Sequence, residues 1–224
     1  MNPSFISNLR EQIVTVEAGR VPLTGHLVIP QGARGVVLFA HGSGSSRHSP
    51  RNHYVAQMLQ QAGLATLLLD LLTVEEEEED LRTRHLRFDL GLLSSRLVGA
   101  TDWLRGTPST QSLSIGYFGA STGSAAAFIA AARRPSVVKA IVSRGGRVDL
   151  TGSLLTQVQA PALLIVGSYD FPIIAMNEDA IALLNQVPEK RLEMIPNATH
   201  LFQEPGALEQ VAILASQWFQ RFLV

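Results

Sequence analysis

The 224-residue sequence contains no cysteine. Disulfides, thiolate metal sites and a cysteine nucleophile are excluded together. Charged residues are scarce, at 17%, and aromatic residues make up only 6%. With 46% hydrophobic residues, the chain buries a sizeable core and is not disordered. Neither sign of charge dominates. A formal net charge of -1 offers no general basic surface for nucleic acid or anionic lipid. No apolar run approaches the roughly 18–20 residues that span a bilayer. Met1-Asn2-Pro3-Ser4-Phe5 lacks the basic and apolar regions of a secretory signal. The expectation is a cytoplasmic globular protein with neither a membrane nor a nucleic-acid partner.

Linker-like stretches and internal repeats are also lacking, so residues 1–224 read as a single domain. Gly42-Ser43-Gly44-Ser45-Ser46-Arg47 carries arginine where a dinucleotide fingerprint needs its third glycine, and no Gly-Lys-Ser/Thr phosphate loop occurs. No histidines and carboxylates share metal-ligand spacing. No cofactor and no metal are expected. The acidic run Glu75 to Asp80 reads as a solvated loop or the charged first turn of a helix.

What is present alternates. Ile13 to Val16 and Leu23 to Ile29 flank Ala18-Gly19-Arg20 as a hairpin. Gly35 to Ala40, Ala65 to Leu69, Ser114 to Phe118, Val137 to Val142 and Ala162 to Val166 read as buried strands. Arg191 to Ile195 is a last short strand. Helical patterns occupy about Asn52 to Ala62, Phe88 to Leu104, Ser121 to Arg133 and Leu208 to Phe222. Such alternation predicts a mostly parallel sheet with helices on both faces, its sites built from loops along one edge.

Gly119-Ala120-Ser121-Thr122-Gly123 follows an apolar strand and opens a helix. In that context the pattern marks a serine nucleophile exposed on a sharp turn. Glycines two positions either side let neighbouring backbone approach, and helix N–H groups point toward developing negative charge. On these residues the chain resembles the α/β-hydrolase superfamily, and the resemblance covers nearly all of it. It implies a three-layer fold and an acid and a histidine following the nucleophile in that order. Asp170, just past the strand Ala162 to Val166, and His200, after the strand ending at Ile195, fill those places. His200 would take the Ser121 proton, and Asp170 would fix its tautomer. Asp149 is a second candidate for the acid. The resemblance further implies that His41-Gly42-Ser43-Gly44 supplies one oxyanion-hole N–H, from Ser43, paired with the N–H of Thr122. His41 is expected to prop this loop.

The short chain and direct connections look most like the dienelactone hydrolase-like branch. The span Ser143 to Ala160 leaves no room for a large lid domain. Dienelactone hydrolases proper use a cysteine nucleophile and this chain has serine, so a small-molecule carboxylic ester is the implied substrate. Thioester cleavage, acyl transfer and a non-catalytic binding module stay open as alternatives. Arg47, His48 and Arg51 follow the oxyanion loop, and Arg144 and Arg147 follow a core strand. Arg47, Arg144 and Arg147 are candidates to receive an anionic substrate group by bidentate pairing. The C-terminal Leu208 to Val224 segment suits packing on the sheet and equally a homo-oligomer contact.

Overall fold

A computed structural model describes residues 9–224; the Met1–Phe5 segment lies outside them. The expected hairpin forms from β1 (Leu9–Ala18) and β2 (Val21–Pro30), antiparallel, with Gly19 at φ 75° in the turn. The apolar runs become β3 (Gly35–Ala40), β4 (Ala65–Leu69), β5 (Ser114–Ala120), β6 (Val138–Arg144) and β7 (Ala162–Gly167), with β8 (Lys190–Ile195) at the edge. The sheet order is β1-β2-β4-β3-β5-β6-β7-β8. β2 runs antiparallel to both neighbours, and every pairing from β4 through β8 is parallel.

Period-two alternation divides the core. Val36, Leu38, Leu67, Tyr117, Ile141 and Leu164 face one layer, where α3 (Leu90–Gly106) and α4 (Thr122–Arg133) pack. Val37, Phe39, Leu68, Phe118, Val142 and Ile165 face α1 (Pro50–Gln61) and α6 (Ala207–Leu223) on the other. Both faces are covered, which is why these strands read as unbroken apolar runs.

The acidic run became α2 (Val74–Thr83). Thr73 caps it and Glu76 reaches back to the Thr73 N–H, completing a capping box. Three glutamates in the first turn suit the positive end of the helix dipole. The run is not wholly solvated: Asp80 is buried against Arg87 at 2.5 Å, and Glu76 pairs with Arg96 at 2.6 Å. Between β6 and β7 the chain makes only 3-10 turns over Val148–Gln157 before reaching the next strand. α5 (Phe171–Leu183) follows β7. Among the described residues, no helix is long and apolar enough to cross a membrane.

The topology places the site. From β3 the chain moves to β4 on one side, then returns to β5 on the other. The carboxyl ends of β3 and β5 therefore flank the point where the strand order reverses, where open α/β sheets form their crevice.

Candidate active site

Ser121 sits between β5 and α4 with φ 52° and ψ -123°. A non-glycine residue held there costs on the order of 1–3 kcal/mol and persists only where surroundings over-determine it. Three backbone bonds do so. Its N–H donates to the Arg144 carbonyl (3.1 Å), and its own carbonyl accepts from Ser124 (3.0 Å) and Arg147 (3.0 Å). The glycines have specific tasks. A Cβ on Gly119 would lie 2.5 Å from the Ser124 Cα, and one on Gly123 would overlap the carbonyl oxygens of Ala40 and His41. Residue 123 thus lets the first turn of α4 press against the end of β3.

The loops after β7 and β8 are stitched together. Ser168 N–H donates to Ile195 O, Tyr169 N–H to Ala198 O, and Asn197 N–H to Ser168 Oγ. This brings Asp170 and His200 together: His200 Nδ1 donates to Asp170 Oδ2 at 2.6 Å, with 11% of the Asp170 side chain exposed and 38% of His200. Fixing Nδ1–H in that bond leaves Nε2 as the free acceptor. The imidazole lies against Gly145, where a Cβ would be 3.4 Å from His200 Cε1. Gly145 directly follows Arg144, the residue that holds the Ser121 N–H. Ser121 Oγ itself has no hydrogen-bond partner among the described residues, the looser state common before substrate tightens such contacts. Asp149, the second candidate for the acid, instead pairs with Arg147 (2.9 Å).

The loop after β3 closes over Ser121, and Gly42 lets it approach: a Cβ there would stand 3.1 Å from the Ser121 Cβ. His41 anchors it. The Leu71 N–H donates to His41 Nε2 at 3.2 Å, so Nε2 is unprotonated and Nδ1–H bonds to Gly42 O at 3.0 Å. Burial holds the imidazole below its ordinary pKa, which fits this neutral tautomer. The Ser43 N–H donates to the Thr122 hydroxyl at 2.9 Å. That bond was not foreseen from the sequence, although the threonine immediately after Ser121 was its available signal.

The candidate arginines divide. Arg47 is tied to Asp70 through its backbone N–H (2.7 Å) and its guanidinium, and Arg147 to Asp149. Among the described residues Arg144 has no carboxylate partner, and it is only 8% exposed. Two cavities flank the loop after β3. One of about 160 Å³ is bounded by Ser43 and Thr122, by Leu71, Leu72, Leu81 and Leu93, and by the charged Glu77, Asp80 and Arg87. The other, about 620 Å³, runs from Ser45 and Arg51 to Phe202 and Glu204.

Comparison with known proteins agrees with this fold. The profile of the Dienelactone hydrolase family matches residues 23–223. The chain is 67% identical to a protein from Anabaena variabilis whose crystal structure is described as a dienelactone hydrolase, with a TM-score of 0.95 over 97% of this chain and 100% of that one. An esterase from Pyrococcus furiosus shares the fold at 17% identity, with a TM-score of 0.75 over 100% and 97% of the two chains. Two Mycobacterium tuberculosis proteins provisionally described as phosphoribosyl transferases are 56% identical over 94% of this chain. The chain spans only 46% of their length, about half of each relative. Sheet order and family profile coincide, and the chain belongs to the dienelactone hydrolase family.

Proposed function

We propose that the protein hydrolyses a carboxylic ester by nucleophilic catalysis at Ser121. The observation that carries this reading is the 2.6 Å His200–Asp170 bond at the same sheet edge as the strained Ser121 turn. Attack by Ser121 Oγ on the acyl carbon passes its proton to His200 Nε2 and forms a tetrahedral adduct. Collapse breaks the bond to the alcohol oxygen, which takes that proton as it leaves. Water, deprotonated by the same imidazole, then releases the acid from Ser121. Asp170 stabilises the imidazolium in both halves.

The N–H groups of Thr122 and Ser43 receive the oxyanion, and Ser43 exchanges its resting bond to the Thr122 hydroxyl for one to substrate. The leucine-lined cavity beside Thr122 takes the acyl group. A cavity of about 150 Å³ holds a molecule the size of benzene, so the 160 Å³ here has the volume for a short acyl chain against its four leucines, with Glu77, Asp80 and Arg87 also on its wall. Phosphoribosyl transfer is not carried over, because more than half of those relatives lies outside the match.

The test is hydrolysis of p-nitrophenyl esters from acetate to decanoate by the wild type and Ser121→Ala. Activity concentrated on the shorter esters and lost in the variant is expected. Activity retained by Ser121→Ala refutes the assignment.

A further inference from the structure

Arg51 and Glu204 face the same cavity, of about 620 Å³, and do not meet. One wall comes from the first turn of α1, where Arg51 and Tyr54 lie three residues apart and so share a face. The other is the loop past His200, with Phe202 and Glu204. Among the described residues Arg51 and Glu204 form no ion pair with each other. Each is half-buried and keeps one polar atom out of water without a hydrogen bond: Arg51 Nε, a donor, and Glu204 Oε2, an acceptor. Glu204 Oε1 is already engaged by the Thr199 N–H (3.1 Å) and hydroxyl (2.6 Å). The hydroxyl bond, above all, holds the carboxyl below the usual carboxylate range, so Oε2 is a charged acceptor at neutral pH. Leaving a buried donor and a buried acceptor unpaired is costly. Opposite charges that share a cavity without touching leave the space between them to a bridging group.

We propose that this cavity is the leaving-group subsite for the sugar part of an acylated sugar, whose hydroxyls bridge Arg51 and Glu204. A hydroxyl donates and accepts at once, so neighbouring hydroxyls on one ring satisfy both side chains, and bonds to charged partners are the stronger kind. A cation would leave Arg51 unpaired, and an anion would leave Glu204 so. Glu209 also lines the cavity but is exposed at its rim, where water screens its charge. The volume is several times the ~150 Å³ that holds a benzene ring, so a six-membered ring with its hydroxyls fits. Tyr54, 38% exposed, adds aromatic surface for the apolar face of such a ring. The cavity reaches from Ser45, two residues past Ser43, to Phe202, two residues past His200. That is the side on which the alcohol departs: the acyl group passes to Ser121 Oγ, and the sugar oxygen leaves with the proton from His200. Assigning the sugar to the substrate rests on the ester-hydrolase reading, whereas the sugar site itself does not.

The experiment has a kinetic arm and a binding arm, each run on the wild type, Arg51→Met and Tyr54→Ala. In the kinetic arm, kcat/KM is compared for methyl 6-O-acetylglucopyranoside, cyclohexylmethyl acetate, which has the ring without the hydroxyls, and acetylcholine. Each preference is a ratio within one protein, so a general change in activity cancels. The wild type should prefer the sugar ester to both others by about tenfold or more, the worth of bonds to charged partners, and Arg51→Met should lose most of that preference. In the binding arm, the melting temperature is followed as methyl glucopyranoside rises to tens of millimolar. Sugars raise stability generically by exclusion from the surface, equally in all three proteins; a larger rise in the wild type reports the site. A preference for cyclohexylmethyl acetate or acetylcholine, or a sugar preference that neither variant lowers, overturns the proposal. A thermal rise specific to the wild type without the kinetic preference overturns the leaving-group assignment. p-Nitrophenyl acetate turnover by the wild type, abolished in Ser121→Ala, reports separately on the ester-hydrolase reading. Tyr54 is exposed, so Tyr54→Ala keeps the test decisive if Arg51→Met fails to fold.

Discussion

Replacing Thr122 with valine tests how the oxyanion loop works. The substitution keeps the β-branched shape but removes the acceptor that holds the Ser43 N–H at 2.9 Å. Because Ser43 lies in an exposed stretch of the loop, water can reach the freed donor. The stability cost should therefore match the net worth of one hydrogen bond, about 0.5–1.5 kcal/mol, and not the full penalty of a buried orphan. Catalysis should respond in the opposite sense. In the wild type the N–H must surrender its bond to the Thr122 hydroxyl before it can meet the oxyanion, whereas in Thr122→Val it gives up only water, and the saving is the net worth of the lost protein bond. A saving of about 1 kcal/mol would raise kcat/KM by up to about fivefold. Thr122→Ser, which keeps the hydroxyl, should behave as wild type. The assay is steady-state hydrolysis of p-nitrophenyl acetate alongside thermal melts of all three proteins. A fall of about 10²-fold in Thr122→Val with its fold intact would refute this reasoning, since a loss of that size is what removing an oxyanion donor produces.

Three further outcomes are expected. Asp170→Asn should fold normally and lose about 10³–10⁴ in kcat, because His200 then lacks the carboxylate that fixes its tautomer; a loss under tenfold contradicts that role. Gly123→Ala should destabilise by about 3 kcal/mol or more, because its Cβ overlaps two backbone carbonyls that have nowhere to move, whereas Gly106→Ala meets no atom within 4 Å and should melt near wild type. Lowering the pH should weaken the fold through His41: burial depresses its folded pKa, so below about 6.5 the unfolded chain binds a proton that the native chain refuses. His53, shifted the same way by burial and by His26, adds to that slope, so the part due to His41 is the difference between wild type and His41→Gln in denaturant midpoints from about pH 7.5 to 5.5. Parallel profiles for the two proteins would remove His41 as a source.

Much of the fold was legible because this sheet is buried on both faces. β3 and β4 carry the bounds their apolar runs predicted, and β7 runs one residue further, to Gly167. The edge strands were harder: β1 already covers Leu9 to Gln12, ahead of the expected Ile13, in a polar stretch where alternation is weak, and six of its ten residues are exposed. Ser121, Asp170 and His200 could be picked out because Ser121 directly follows β5 and the other two lie in the loops just past β7 and β8, which sends all three to one edge. Partnerships across loops were not legible. Whether Arg47 meets Asp70, or Ser43 meets Thr122, depends on how segments 23 and 79 residues apart come together. The burial of Arg144 was hidden for a related reason. It continues the Ala140, Val142 alternation onto the α1 and α6 face, but an arginine at a strand end gives no local sign that a helix will cover it. In the acidic run, Thr73 and Glu76 already spelled the capping box that starts α2.

The most direct measurement is intact-protein mass spectrometry after exposure to a fluorophosphonate, followed by peptide mapping. A single adduct on Ser121, absent from Ser121→Ala and much slower to form in His200→Ala, is the predicted result. An unlabelled wild type, or a label on any other residue, would contradict nucleophilic catalysis by Ser121.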